Sequence, residues 1–255
     1  MTTTSTGAAA APRPARSTAA VDWSDVALNV YIGVFFLYLF LPLLIMVLAA
    51  FNANDTPSVT DWRGFTLDWF TGRTDAAGNL VVKGLPQEDR FIQGLGHSLA
   101  IAAGVIVISI PLGLSGALVL TRLETRATTL LYTLLVSPIL TPGIVLGVST
   151  MIFWRDYFAL EAGLLTTMIA QGTFIASYCM LMFMARLQRQ DRVLEEAALD
   201  LGASSFMVFR RITLPFLMPT IATSAVIAFL QSIENYNTTF FAIGGSWTLV
   251  TEIGS

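Results

Sequence analysis

Five long stretches of the chain carry no charged side chain: Ala27 to Phe51, Phe91 to Thr121, Ala127 to Trp154, Ala162 to Ala185 and Ile212 to Ile233. Each reaches the roughly 20 apolar residues that a helix needs to cross a hydrocarbon core of about 30 Å while satisfying its own backbone. The second is narrowed to a span over His97 to Leu120. The pattern predicts an all-α polytopic membrane protein with five spans. A tail over 1–26 leads into the first span at 27–51, an outer loop covers 52–96, and a core covers 97–255 with a polar loop at 186–215. Only about twenty residues follow the fifth window, with no sixth apolar run. Either a sixth span is missing at the C-terminus or the number of spans is odd.

Composition agrees. Of the 255 residues 55% are hydrophobic and 12% charged, with a mean hydropathy of +0.69, where soluble domains carry about a quarter charged residues. The net charge of −3 is too small and too dispersed for a nucleic-acid footprint, so nucleic acid is excluded as a partner. One cysteine, Cys179, and one histidine, His97, allow neither an internal disulfide nor a two-ligand Cys/His metal site. Cys179 reads as a small core residue and His97 as a hydrogen-bonded interfacial one. Residues 1–20 lack the apolar stretch of a signal peptide and read as a disordered tail.

Basic residues set the expected orientation. With the N-terminus inside, Arg13, Arg16, Arg122, Arg126, Arg186, Arg189, Arg192, Arg210 and Arg211 all face the cytoplasm. The outer side keeps Arg155 and one long loop in which four basic residues are offset by six acidic ones. That loop also holds Trp62, Phe65, Trp69 and Phe70, which suit either anchoring at the headgroups or docking of a solute-binding protein. Trp154, Tyr157 and Phe158 have the same two readings, interface anchoring or lining of a solute mouth. Pro111, Pro138 and Pro142 would break ordinary helices, and with the small pair Gly143 and Gly147 they fit a packed bundle.

The loop between the fourth and fifth windows reads as helix, turn, helix. Asp191 is a good N-cap, Glu195 and Glu196 favour the helix N-terminus, and Gly202 stops the helix. Ser204 or Ser205 caps a second helix, Phe206 to Ile212, expected to be limited by Pro215. Ala197 and Ala198 have no bulk, so the first helix can sit deep in a groove of another protein while Glu195 and Glu196 pair with basic residues around it. No nucleophile with its base, metal cluster or phosphate loop is present, and the only lysine, Lys83, is not in a GxxxxGK[ST] run. The chain is therefore read as a non-catalytic subunit with no cofactor of its own.

Glu196-Ala197-Ala198, Gly202, Ile212, Leu214 and Pro215 stand at the spacing of the EAA loop, and the seven identities resemble those of binding-protein-dependent importer permeases. The resemblance implies a type I ABC importer transmembrane domain in the bacterial inner membrane. The 186–215 loop would then seat in a nucleotide-binding ATPase subunit that holds ATP and Mg. It also implies a second permease subunit, a related heterodimer partner, and a periplasmic or lipid-anchored solute-binding protein. The words HSLAIAAG, SPILTPGIVLG and FLQSIENYNTTFFAIGG are most similar to the spermidine/putrescine branch, which implies a polyamine or other small cationic solute. Another small solute, or a stand-alone secondary transporter, is the alternative. Glu234, Asn235, Tyr236 and Asn237 at the end of the fifth window supply a carboxylate, two amides and a phenol that can hold an ammonium group. The competing reading of Glu234 is an interfacial carboxylate bonded to a neighbouring helix or to water.

Overall fold

The computed structural model describes residues 23–54, 61–122 and 127–254, so residues 1–22 of the expected 1–26 tail lie outside the described residues, while its last four already belong to the first helix. The chain divides into two compact units, Met1–Val82 and Lys83–Ser255. In the first, helix α1 (Trp23–Ala49) is apolar on every side, as a lipid-facing span should be. Behind it Phe51 stacks on Phe65 at 5.2 Å, and Asn52 clasps the loop. It accepts from the Arg63 amide at 2.9 Å and donates to the Asp61 carbonyl at 2.7 Å. A short helix α2 (Asp68–Thr71) and a hairpin of β1 (Arg73–Thr74) with β2 (Leu80–Val82) complete the unit. The hairpin is a small departure from the all-helical expectation. Asp75 at its turn accepts from the Asn79 and Ala77 amides, which lowers its carboxyl pKa.

The second unit is a helical bundle around one long helix, α3 (Asp89–Arg122). At about 1.5 Å per residue its 34 residues extend some 50 Å, further than the hydrocarbon core. The helix starts ahead of the expected His97 because Asp89 to Gly96 continue its first turns. It packs on α6 (Leu164–Leu187) through small residues. A Cβ on Gly113 would meet the Cys179 Cβ at 2.7 Å and the Ala176 carbonyl oxygen at 2.8 Å. Backbones this close replace the hydrophobic driving force that lipid cannot supply. Around the seam lie Ile101, Val105, Ala117, Ile175, Cys179, Met180 and Phe183, all buried.

The third window is interrupted at Pro142, as expected of that proline, whereas Pro111 and Pro138, expected to break helices too, stay inside theirs. The window is broken into α4 (Ala127–Leu140) and α5 (Gly143–Phe158), which meet at 107°. Pro142 has no amide to continue α4 and holds its predecessor Thr141 out of the helical region. Among the described residues four helices are long and apolar enough to cross a membrane by themselves, and the bent pair, counted as one span, makes a fifth.

Beyond α6 come α7 (Arg192–Asp200), α8 (Ser205–Val208), a π-helical turn (Phe209–Thr213) and α9 (Leu214–Ile233). Pro215 does not end the second loop helix, contrary to expectation. It lies at the start of α9 directly behind the π turn, whose wider bonding, with the Leu214 amide on the Phe209 carbonyl, accommodates the proline without interrupting the helix. The helix therefore runs on from Ser205 to Ile233. Two short helices follow, α10 (Tyr236–Ala242) and α11 (Leu249–Ile253). His97 Nδ1 meets the Trp247 carbonyl oxygen at 2.8 Å and Ser98 Oγ accepts from the Leu249 amide at 2.9 Å, pinning α11 to the start of α3.

Candidate coupling elbow and solute path

Local chemistry shapes the elbow at the α6 to α9 end of the bundle. The Asp191 carboxylate accepts from the Val193 amide at 3.0 Å and starts α7. At the other end the Gly202 amide donates to the Leu199 carbonyl and the Ala203 amide to the Ala198 carbonyl, with Gly202 at φ +86°. This is the glycine-terminated helix end in which a left-handed residue satisfies the last carbonyls. Ser204 rather than Ser205 caps α8, accepting from the Met207 amide at 3.3 Å.

The outer surface of this elbow is apolar. Leu201 is 90% exposed and Phe206 71%, with Val193, Leu194 and Met207 exposed around them. Glu196, Ala197 and Gly202 share this open surface, whereas Ala198, Ile212 and Leu214 are half-buried and Pro215 is exposed at the root of α9.

Glu195 is placed differently from its neighbour. Its carboxylate, 19% exposed, turns into the chain instead of standing free for a partner's basic residue. It receives Arg122 Nη2 at 3.0 Å, Gln190 Nε2 at 3.0 Å and the Thr213 hydroxyl at 2.5 Å. Arg122 is half exposed, so its ion pair contributes only about 0–1 kcal/mol. The bond from wholly buried Thr213 to a charged acceptor contributes more, about 1.5–3 kcal/mol. Arg192 adds a bond to the Thr121 carbonyl at 2.8 Å, and Arg186 stacks over Phe216 at 4.1 Å, joining the end of α6 to the start of α9. A cleft of about 520 Å³ opens among Arg122, Gln190, Arg192, Glu195 and Leu199.

At the opposite end of α9 the four candidate solute-path residues do not form one cluster. Glu234, the C-cap of α9, and Asn237 are exposed. Asn235 spends its side-chain oxygen on capping α10, accepting from the Thr238 amide at 3.1 Å. Tyr236 stacks on Phe240 at 5.5 Å and is half-buried. Beneath them lies a polar knot absent from the sequence expectations. Gln171 of α6, 1% exposed, donates to Thr239 Oγ1 at 2.7 Å and accepts from Ser232 Oγ at 2.5 Å. Thr239 in turn donates to the Asn235 carbonyl. The signal was an amide within an otherwise apolar window, where polar groups must find partners. Trp154, Tyr157 and Phe158 gather with Phe153 at the end of α5, with Trp154 and Phe158 centred 4.7 Å apart.

A broken span, a glycine-stopped elbow and small-residue packing describe a polytopic membrane bundle. The chain belongs to the family described as binding-protein-dependent transport system inner membrane component, which it matches over residues 109–254. It is 31% identical over 221 residues to the putrescine transport system permease protein PotI of Escherichia coli K12, covering 84% of this chain and 74% of that protein. It is 26% identical over 213 residues to the spermidine/putrescine transport system permease protein PotC of the same strain, covering 84% and 75%. Two solved structures share the fold. A bacterial ABC transporter involved in the import of the acidic polysaccharide alginate aligns with a TM-score of 0.64 at 18% identity, over 87% of this chain and 80% of that one. The inward-facing MetNI methionine ABC transporter aligns at 0.56 and 21%, over 68% and 82%. The chain is thus a multi-pass transport permease subunit of the ABC importer class, a class that works with ATPase and solute-binding partners.

Proposed function

We propose that the elbow from α7 to α8 is the docking element for a separate ATPase subunit that binds ATP and Mg, and that this chain catalyses no reaction itself. The observation that carries this reading is the exposed apolar pair Leu201 and Phe206 on either side of the Gly202 turn. Apolar side chains projecting this far from a charged loop gain free energy only against another surface. Ala197 leaves room for close approach, and exposed Glu196 is free to meet a basic residue at the groove's edge. With the N-terminus in the cytoplasm the elbow lies on the ATP side, as its run of arginines favours. The remaining partners in this reading are a second, related permease and a solute-binding protein on the outer face.

The solute in this reading is a polyamine or a similar small amine. The names of the PotI and PotC relatives support it, and so does an exposed carboxylate, Glu234, at the far end of the fifth span. Co-purification of an ATPase subunit of the same importer class, co-expressed with this chain, tests the docking reading. Leu201→Ser with Phe206→Ser should abolish capture while membrane insertion is retained, and undiminished capture would refute it.

A further inference from the structure

Glu195 stands one position outside the seven-residue signature, yet its carboxylate gathers three parts of the bundle. We propose that Glu195 is a positioning residue of the transport cycle, a latch that makes α7 move as one body with the ends of α3 and α9. The inference rests on the docking reading, since α7 must first be held by the ATPase.

Helix α7 has nine residues and none of them is buried, so packing alone does not fix its position. The Gly202 turn ties α7 to α8 through its own backbone bonds, but an added Cβ there would meet no neighbour among the described residues, so the turn does not pack α7 on the bundle. Side-chain bonds therefore carry any displacement of α7: Arg122 and the Arg192 bond to Thr121 toward α3, Gln190 toward α6, and Thr213 toward α9. Thr213 reaches Glu195 because it closes the π turn, whose extra residue per turn shifts the register of the helix entering α9.

The stability these bonds add is not the whole of the design. Gln190 Oε1 is buried with no hydrogen-bond partner among the described residues, so the joint is incompletely satisfied. An apolar joint of the same shape would avoid that cost. Polar bonds can instead break and reform between two arrangements, and the cleft lined by Arg122, Gln190 and Glu195 leaves room for the change.

The test uses the full complex in proteoliposomes, with uptake and ATP hydrolysis measured together. Glu195→Ala should still capture the ATPase but move about tenfold less solute per ATP, a loss typical of coupling between sites. Glu195→Gln should fall between Ala and wild type, because it keeps an acceptor for Thr213. Thr213→Val should show the same split as Glu195→Ala. The Glu195→Ala, Thr213→Val double variant should lose no more than the worse single, since both act through one bond. A wild-type transport-to-ATP ratio in Glu195→Ala would overturn the latch, and so would losses that multiply in the double variant. Failure of the unmodified chain to capture its ATPase would instead overturn the docking reading.

Discussion

A Cβ placed on Gly147 would come within 2.8 Å of the Thr238 carbonyl oxygen, so α5 and α10 touch backbone to backbone. The Thr238 hydroxyl also donates to the Gly143 carbonyl at 3.2 Å, which fixes α10 on the first two turns of α5. The break at Pro142 matters here, because only a reoriented α5 presents Gly143 and Gly147 to this short helix.

Gly147→Leu should therefore separate the two helices. Overpacking of this kind costs about 1–3 kcal/mol, and thermal unfolding in detergent should show a lowered Tm. Gly96→Ala is the matched control, with nothing within 4 Å of its added Cβ and a better helix former in place of glycine. Equal melting of Gly147→Leu and wild type would contradict the close approach.

Gln171→Leu tests the polar knot. It leaves the Ser232 hydroxyl in a buried site without its acceptor, at a cost of about 1–3 kcal/mol. Removing both partners should be milder than removing one, so adding Ser232→Ala to Gln171→Leu should recover part of the loss. Comparison of the three melting temperatures checks this, and a further loss in the double variant would show that the bond is not the cause.

Gly202 separates backbone need from space. Its φ of +86° disfavours a side chain, yet among the described residues nothing beyond its immediate chain neighbours lies within 4 Å of an added Cβ. Asn, which tolerates the left-handed region, should be accepted, whereas β-branched Val should distort the elbow. Solute-stimulated ATPase activity of the complex should stay near wild type for Gly202→Asn and fall severalfold for Gly202→Val. Equal loss in both would shift the cause from backbone strain to crowding by the docked partner.

Those elements were legible where one or two adjacent residues decide the outcome: the Asp191 cap, the Gly202 stop and the long uncharged windows. Proline was a poorer guide. Among the described prolines of the apolar windows, Pro42, Pro111, Pro138 and Pro219 stay inside helices, Pro215 follows a π turn without a break, and Pro142, between Thr141 and Gly143, accompanies one. The difference lies in tertiary contact, since the α5 that follows is held by Thr238 nearly a hundred residues later. The same limit applies to Glu195, which was expected to face a partner. Its bonds to Arg122 and Thr213 cross 73 and 18 positions of sequence, and one of them depends on a π turn that no periodicity announces. Within the four-residue solute motif the side chains have separate surroundings for a local reason. Asn235 is an N-cap, a role its neighbours in sequence do not reveal until α9 is seen to stop.

Glu234 and Asn237 are what remains of that motif for contact with solute. An exposed carboxylate at a helix end attracts an ammonium group, whereas a carboxamide of the same shape keeps only the hydrogen bonding. Glu234→Gln should accordingly weaken putrescine uptake about tenfold, with ATPase capture unaffected because the elbow lies at the other end of α9. Asn237→Ala should cost less, since it removes no charge. Uptake assays in proteoliposomes with putrescine and with an uncharged diol of equal length would separate charge from shape. If Glu234→Gln slows both solutes alike, the carboxylate serves the structure of the α9 end. If it slows neither, selection rests on another residue or on the solute-binding protein. Only a loss confined to the diamine assigns Glu234 to recognition of the cargo.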